Sequence, residues 1–180
     1  MKYLALVLFS LVITCAATHV FVVRPILAAD DPRNIAGYDE TVWGMSEDEV
    51  LNAESPLAEK LDKPVKTAAG DIRSITIKAL KIASTEFRVL FIFDSKNRKL
   101  KQVTLEGLND LDPALTFSSI EKLLTEKYGT PTYKKEGNDV SWKLPKTTIE
   151  LLYFNIPSVR MQVFVIYRPA VASADASKNL

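Results

Sequence analysis

The chain switches between two hydrophobic periods, and each switch marks an element. A helix start is written at Ser46. Glu49, three residues on, completes a capping box, and Glu47, Asp48 and Glu49 put acid in the first turn, where the helix dipole favours it. Val50 and Leu51 supply the inward side. Ser55-Pro56 restarts the chain with Ser as cap and Pro at the first helical position, and Leu57, Ala58 and Leu61 form a short apolar stripe before Pro64. This stretch predicts two short helical pieces joined by a turn. From Ile72 the period falls to two. Ile75 to Ile82, Phe87 to Phe93 and Leu100 to Leu105 read as three strands, with turn chemistry at Asp94-Ser95-Lys96-Asn97. The short spacing makes them antiparallel neighbours.

The pattern then recurs. Asp112-Pro113 closes a loop, and Leu115, Phe117, Ile120, Leu123, Leu124 and Tyr128 fall at helical spacing. Ser118 with Glu121 offers a capping box, and Thr116 is an equally good cap. Gly129 stops the helix and Pro131 prevents its resumption. Val140 to Leu144, Thr147 to Phe154 and Met161 to Tyr167 read as three more strands, separated by Gly137-Asn138 and Pro157-Ser158. The expected fold is α+β. Tandem helix-plus-three-strand halves, residues 41–107 and 113–168 of a domain over 41–168, pack their helices on one face of an antiparallel sheet. Residues 30–40 read as a linker and 169–180 as a disordered tail.

The first 29 residues have a different character. Met1-Lys2, an apolar run from Tyr3 to Val23 and the small residues before Asp30 have the layout of a secretory signal peptide, cleaved after Ala28 or Ala29. The apolar run is also long enough for an uncleaved membrane anchor. A third reading takes Val12-Ile13-Thr14-Cys15 as a lipobox, which Thr before the Cys fits poorly. All three place residues 30–180 outside the cytoplasm: periplasmic or secreted, or membrane-anchored and facing out. The only Cys (Cys15) and the only His (His19) lie inside this segment. Its removal excludes disulfides, Cys or His metal sites, Cys nucleophiles and any Ser-His relay. It also takes Lys2 and Arg24, leaving 21 basic against 22 acidic residues, a balance with no electrostatic footprint for nucleic acid. The remaining 151 residues suffice for a sizeable core without disulfides.

Trp43-Gly44-Met45-Ser46 with Glu49-Val50, the Phe91-Ile92-Phe93 to Leu100 hairpin, and Tyr128-Gly129 with Pro131, Val140 and Trp142 carry a resemblance. Over residues 40–168 the chain resembles small exported bacterial domains similar to β-lactamase-inhibitor protein and to the small lipoprotein of the outer-membrane assembly machinery. The resemblance implies a helical pair on an antiparallel sheet and a protein-binding role, and it carries over no catalytic residue. Domains of the inhibitor type usually have a disulfide in each repeat, which the mature chain lacks.

Little else points to chemistry. Trp43-Gly44 reads as a helix staple before it reads as a ligand contact. Lys96, Arg98, Lys99 and Lys101 form the one basic cluster, either a solvated hairpin tip or a contact for anionic headgroups or an acidic partner. Glu106, Asp110 and Asp112 offer oxygen ligands without the spacing of a Ca²⁺ loop, and two carboxylates brought close by the fold would suit glycoside hydrolysis. The strands are more informative. Leu90, Ile92, Leu152, Phe154, Phe164 and Ile166 break alternation in three strands at once, so a second sheet face carries apolar residues that must meet something. The other half of the chain, a subunit, a partner or an apolar ligand would each serve. The function expected is therefore a non-catalytic, cofactor-free and metal-free binding domain of the bacterial cell envelope, taking a protein partner on that face. The alternatives are a periplasmic carrier of a lipid or other small apolar ligand and, third, a carboxylate-based hydrolase.

Overall fold

The computed structural model describes residues 31–108, 112–135, 137–156 and 160–171. The signal-like segment and its Cys15, together with the tail beyond 171, lie outside them. Helix α1 (Glu47–Ala53) is followed by β1 (Glu59–Lys66), β2 (Ile72–Ile82), β3 (Thr85–Phe93) and β4 (Leu100–Leu108). Helix α2 (Pro113–Tyr128) is followed by β5 (Tyr133–Lys135), β6 (Asp139–Lys143), β7 (Thr147–Ile156) and β8 (Arg160–Pro169). The class is α+β. All eight strands form one antiparallel sheet in the order β1-β2-β3-β4-β8-β7-β6-β5.

Two rows of side chains on the first face of the sheet build the core. Register aligns Ile75, Phe91, Val103, Tyr167, Ile149 and Trp142 across six strands. Ile77, Val89, Leu105, Val165, Leu151 and Val140 form the next row. All twelve are buried, in one cluster with Val50 of α1 and Phe117, Ile120, Leu124 and Tyr128 of α2. Gly107 stands opposite Phe87, and an added Cβ there would meet Val163 O at 3.4 Å and the Phe87 ring at 3.7 Å. Helix α2 runs against β7 and β8, and the Trp142 indole N–H donates to Gly129 O at its C-terminus (2.9 Å). Gly129 takes φ +84° with ψ −167°, a backbone region that is open to glycine and to almost no other residue.

Several expectations are corrected. Residues 59–66 are an edge strand, not the second helical piece. Pairing with β2 decides this, and Pro64, which lacks an N–H, suits an edge. With the short β5, each helix precedes four strands rather than three. Helix α2 begins earlier than Thr116 or Ser118, because Asp112 caps it by accepting from Leu115 N (3.0 Å) with Pro113 in the first turn. Leu115 points outward and Leu123 is 41 % exposed, because the buried side of α2 is the stripe of Phe117, Ile120, Leu124 and Tyr128. The supposed linker is seated on the core: Ile35 and Tyr38 pack against it, and Tyr38 meets Phe91 and Tyr167 edge-on at 6.4 and 5.1 Å. The Ser46–Glu49 capping box is present in both directions.

Phe91 has no exposed surface and sits mid-row, so Phe91→Ala should cost about 3–5 kcal/mol in urea unfolding. Leu123→Ala should cost about 1 kcal/mol or less, since two fifths of the residue stays in water and Ala is the better helix former. Equal losses for the two would contradict this assignment of faces.

Candidate functional site

The register that builds the core fixes the opposite face as well. Thr76, Leu90, Thr104, Ile166, Glu150 and Ser141 form one row of it. Arg88, Glu106, Phe164, Leu152 and Asp139 form the next, and Phe154 stands opposite Gln162. The six residues singled out by broken alternation thus share one face. They do not make one patch. Strand β4 sets Gln102, Thr104 and Glu106 between Leu90 and Ile92 on one side and the β7–β8 residues on the other. Leu90 and Ile92 are only 3 % and 7 % exposed and lie outside the main core cluster. The accessible apolar surface is at the other end. Phe154 is 50 % exposed and meets the half-buried Phe164 at 5.5 Å with rings at 88°. Leu152 and Ile166 are half-buried beside them.

Paired charges frame these side chains. Arg88 bonds Glu106 through Nε (3.2 Å) and a terminal nitrogen (2.7 Å). Arg168 reaches Glu150 (2.7 Å) and Gln102 (2.9 Å), and Gln102 in turn donates to Thr104 (2.9 Å). Gln162 donates to Gly107 O (3.0 Å) and Thr76 to Val89 O (2.8 Å), so the buried polar groups of this face are satisfied. At the β1 end the face folds into a groove of about 310 Å³, with Leu90 and Thr76 among its lining and Leu61 and Val65 supplied by β1. A helical stripe of Leu57, Ala58 and Leu61 ending before Pro64 predicts no such groove, because it leaves no strand to carry Leu61 and Val65 over Leu90.

A second cavity, about 240 Å³, opens on the core face. Leu105, Val165, Ile120 and Leu124 give it apolar walls, and Tyr38, Tyr128 and Tyr167 give it hydroxyls. Burial raises the pKa of Tyr167, whose hydroxyl is hydrogen-bonded with that of Tyr128, and also that of Tyr38, so both remain neutral phenols. Glu54, the C-cap of α1, is 5 % exposed, and its Oε1 has no hydrogen-bond partner among the described residues. Burial first, then the negative charge of Asp39 and, with it, that of Glu40, lifts its pKa from 4.5 to about 7, although Glu40 N–H donates to the carboxylate. No periodic signal marks Glu54 or Tyr38; only the fold brings them together.

Most of the other sequence candidates make contacts within the fold. Trp43 donates to Thr147 Oγ1 (3.0 Å), which donates to Ile35 O (2.8 Å), tying the segment before α1 to β7. In the basic hairpin, Arg98 pairs with Glu47, and Lys101 pairs with Asp71 (3.1 Å). Glu106 is held by Arg88 and Asp112 caps α2, while Asp110 lies outside the described residues. Among the described residues no group of three His, Cys, Asp or Glu is disposed to hold a metal ion. No family model, curated protein or solved structure matches the chain.

Glu54 gives this region a pH signature. Its folded-state pKa lies above the unfolded value, so between about 4.5 and about 7 the folded protein holds the extra proton. This contribution is full below that window, declines as pH rises through it and is gone above it. Glu54→Gln should flatten the decline, measured as urea midpoints at about pH 5 and about pH 8. A variant that keeps the wild-type slope would assign the decline to another group.

Proposed function

We propose that the mature chain is a non-catalytic binding domain of the bacterial cell envelope, exported by its first 29 residues, and that it engages a protein partner through the second face of the sheet. The carrying observation is the Phe154–Phe164 pair. A large aromatic ring half exposed on a regular strand, packed edge-on against a second ring and bordered by Leu152 and Ile166, is the usual composition of an interface anchor. The Arg168–Glu150 and Arg88–Glu106 pairs provide the polar rim such anchors have. In this reading the two helix-plus-four-strand runs are duplicated halves joined through β4 and β8, with both helices layered on the core face and the second face left for the partner. The resemblance to inhibitor-type and assembly-lipoprotein domains supports a protein as the occupant.

A second reading, carriage of a small apolar ligand, is favoured by the cavity of about 240 Å³ beneath α2, whose walls are mainly aliphatic with three tyrosines.

Photo-crosslinking in the envelope of the native host separates the two. A photoreactive residue at 154 or 164 should give one protein adduct, absent when the probe stands at the exposed Leu57. Phe154→Ser should abolish the adduct from position 164 while costing no more than about 2 kcal/mol of stability and leaving unfolding cooperative. Identical adducts from position 57, or none from either ring position, would count against the interface. A co-purifying small molecule released by filling the cavity with Leu105→Phe would favour the carrier.

A further inference from the structure

We propose that the groove beneath β1 holds an extended, acidic segment of a protein partner; this rests on the sheet-face reading above and names the chemistry recognised at its β1 end. The groove exists because the edge strand leaves its ladder. Glu59 and Lys60 pair with Thr76 and Ile75, pairing resumes at Val65 with Arg73, and the register shifts between. Leu61, Asp62 and Lys63 of the interrupted stretch line the groove beside Leu90, together with Val65.

Charge selects the occupant. Four cationic side chains line the groove, and Asp62 is its one acidic residue. Lys78 is paired with Glu59 (2.6 Å) and Arg88 with Glu106 (2.7 Å). Lys63 and Arg73 have no carboxylate partner among the described residues. Arg73 is also partly buried, where a guanidinium gains most from a carboxylate that meets its planar fork. The apolar content is three separate side chains, Leu61, Val65 and Leu90, interleaved with these charges. A continuous hydrocarbon chain would lie against ammonium and guanidinium heads and leave them desolvated without partners. An extended peptide with carboxylates on one side and aliphatic side chains on the other matches both sets at the period of a strand.

The test titrates the full mature chain with an end-capped peptide of about eight residues alternating Asp and Val, with its Lys and Val counterpart, and with phosphatidylglycerol vesicles. The acidic peptide should bind saturably and more weakly as salt rises, and the basic one should not bind. Arg73→Gln and Lys63→Gln should each weaken binding about tenfold, the worth of a charge-assisted contact, with unchanged urea midpoints. No saturable binding of the acidic peptide, equal binding of both peptides, or full affinity in Arg73→Gln would overturn the proposal. Vesicle binding without peptide binding would replace it with lipid headgroup recognition. Crosslinking at positions 154 and 164 that survives an unaffected Arg73→Gln would sink this inference and spare the sheet-face reading. Loss of that crosslinking with Arg73-dependent peptide binding would do the reverse.

Discussion

The pairing of β4 with β8 is the constraint on which the rest of the structure depends. Only Val103 to Glu106 on one strand and Phe164 to Tyr167 on the other make the junction. Those residues are about sixty positions apart in the chain, so closing the intervening loop costs entropy that local contacts do not repay. What offsets the cost is continuity. The junction sets Val103 beside Tyr167 and Leu105 beside Val165, turning two three-strand apolar rows into two six-strand rows. A slip of one residue would present Thr104 and Glu106 to the core and Val103 and Leu105 to the other side, so the junction's register is strongly specified.

That register also dictates what the second face can be. Because Val103 and Leu105 point into the core, β4 must present Gln102, Thr104 and Glu106 on the other side. The second face is therefore divided by a polar strip, and two of its arginines are spoken for, Arg88 by Glu106 and Arg168 by Glu150 and Gln102, while Arg73 at the β1 end has no carboxylate partner among the described residues. Pairs this exposed contribute at most about 1 kcal/mol each to folding. Their larger effect is to hold long side chains in place around Phe154, Phe164 and the β1 groove. Preordered groups lose less entropy when a partner arrives, so a face that adds little to stability can still be well shaped for binding.

Legibility in the sequence followed the strength of the local signal. Six strands were evident because β-branched and aromatic residues recur at period two over five or more positions, and the Ser46–Glu49 box located α1. The register of β3, β7 and β8 was legible too, which is why all six candidate face residues fall on one side. Their separation into two groups was not, because the split arises from β4, whose neighbour β8 is remote in sequence. Leu115 and Leu123 were misplaced for a different reason. Both are apolar and lie within the helix, but the turn per residue puts Leu115 nearly opposite the stripe of Phe117, Ile120, Leu124 and Tyr128 and Leu123 on its flank, whichever residue caps the helix.

The most consequential misreading was at residues 55–66, and its cause bears on how the face is built. Ser55-Pro56 and the Leu57, Ala58, Leu61 stripe satisfy helix rules locally, yet β2 offers an unpaired edge whose amides and carbonyls need partners. The sheet wins, but imperfectly: Pro64 cannot donate, and the ladder lapses between Lys60 and Val65. A regular strand with full pairing would have lain flat beside β2 and left no recess above Leu90. The lapse makes a groove instead, and Lys63, one of the lysines that keep this edge from pairing with other chains, adds its charge to that of Arg73, Lys78 and Arg88 in the groove. Local sequence and global fold disagree most sharply at β1, and disagreement of that kind is expected where a surface is shaped for more than stability.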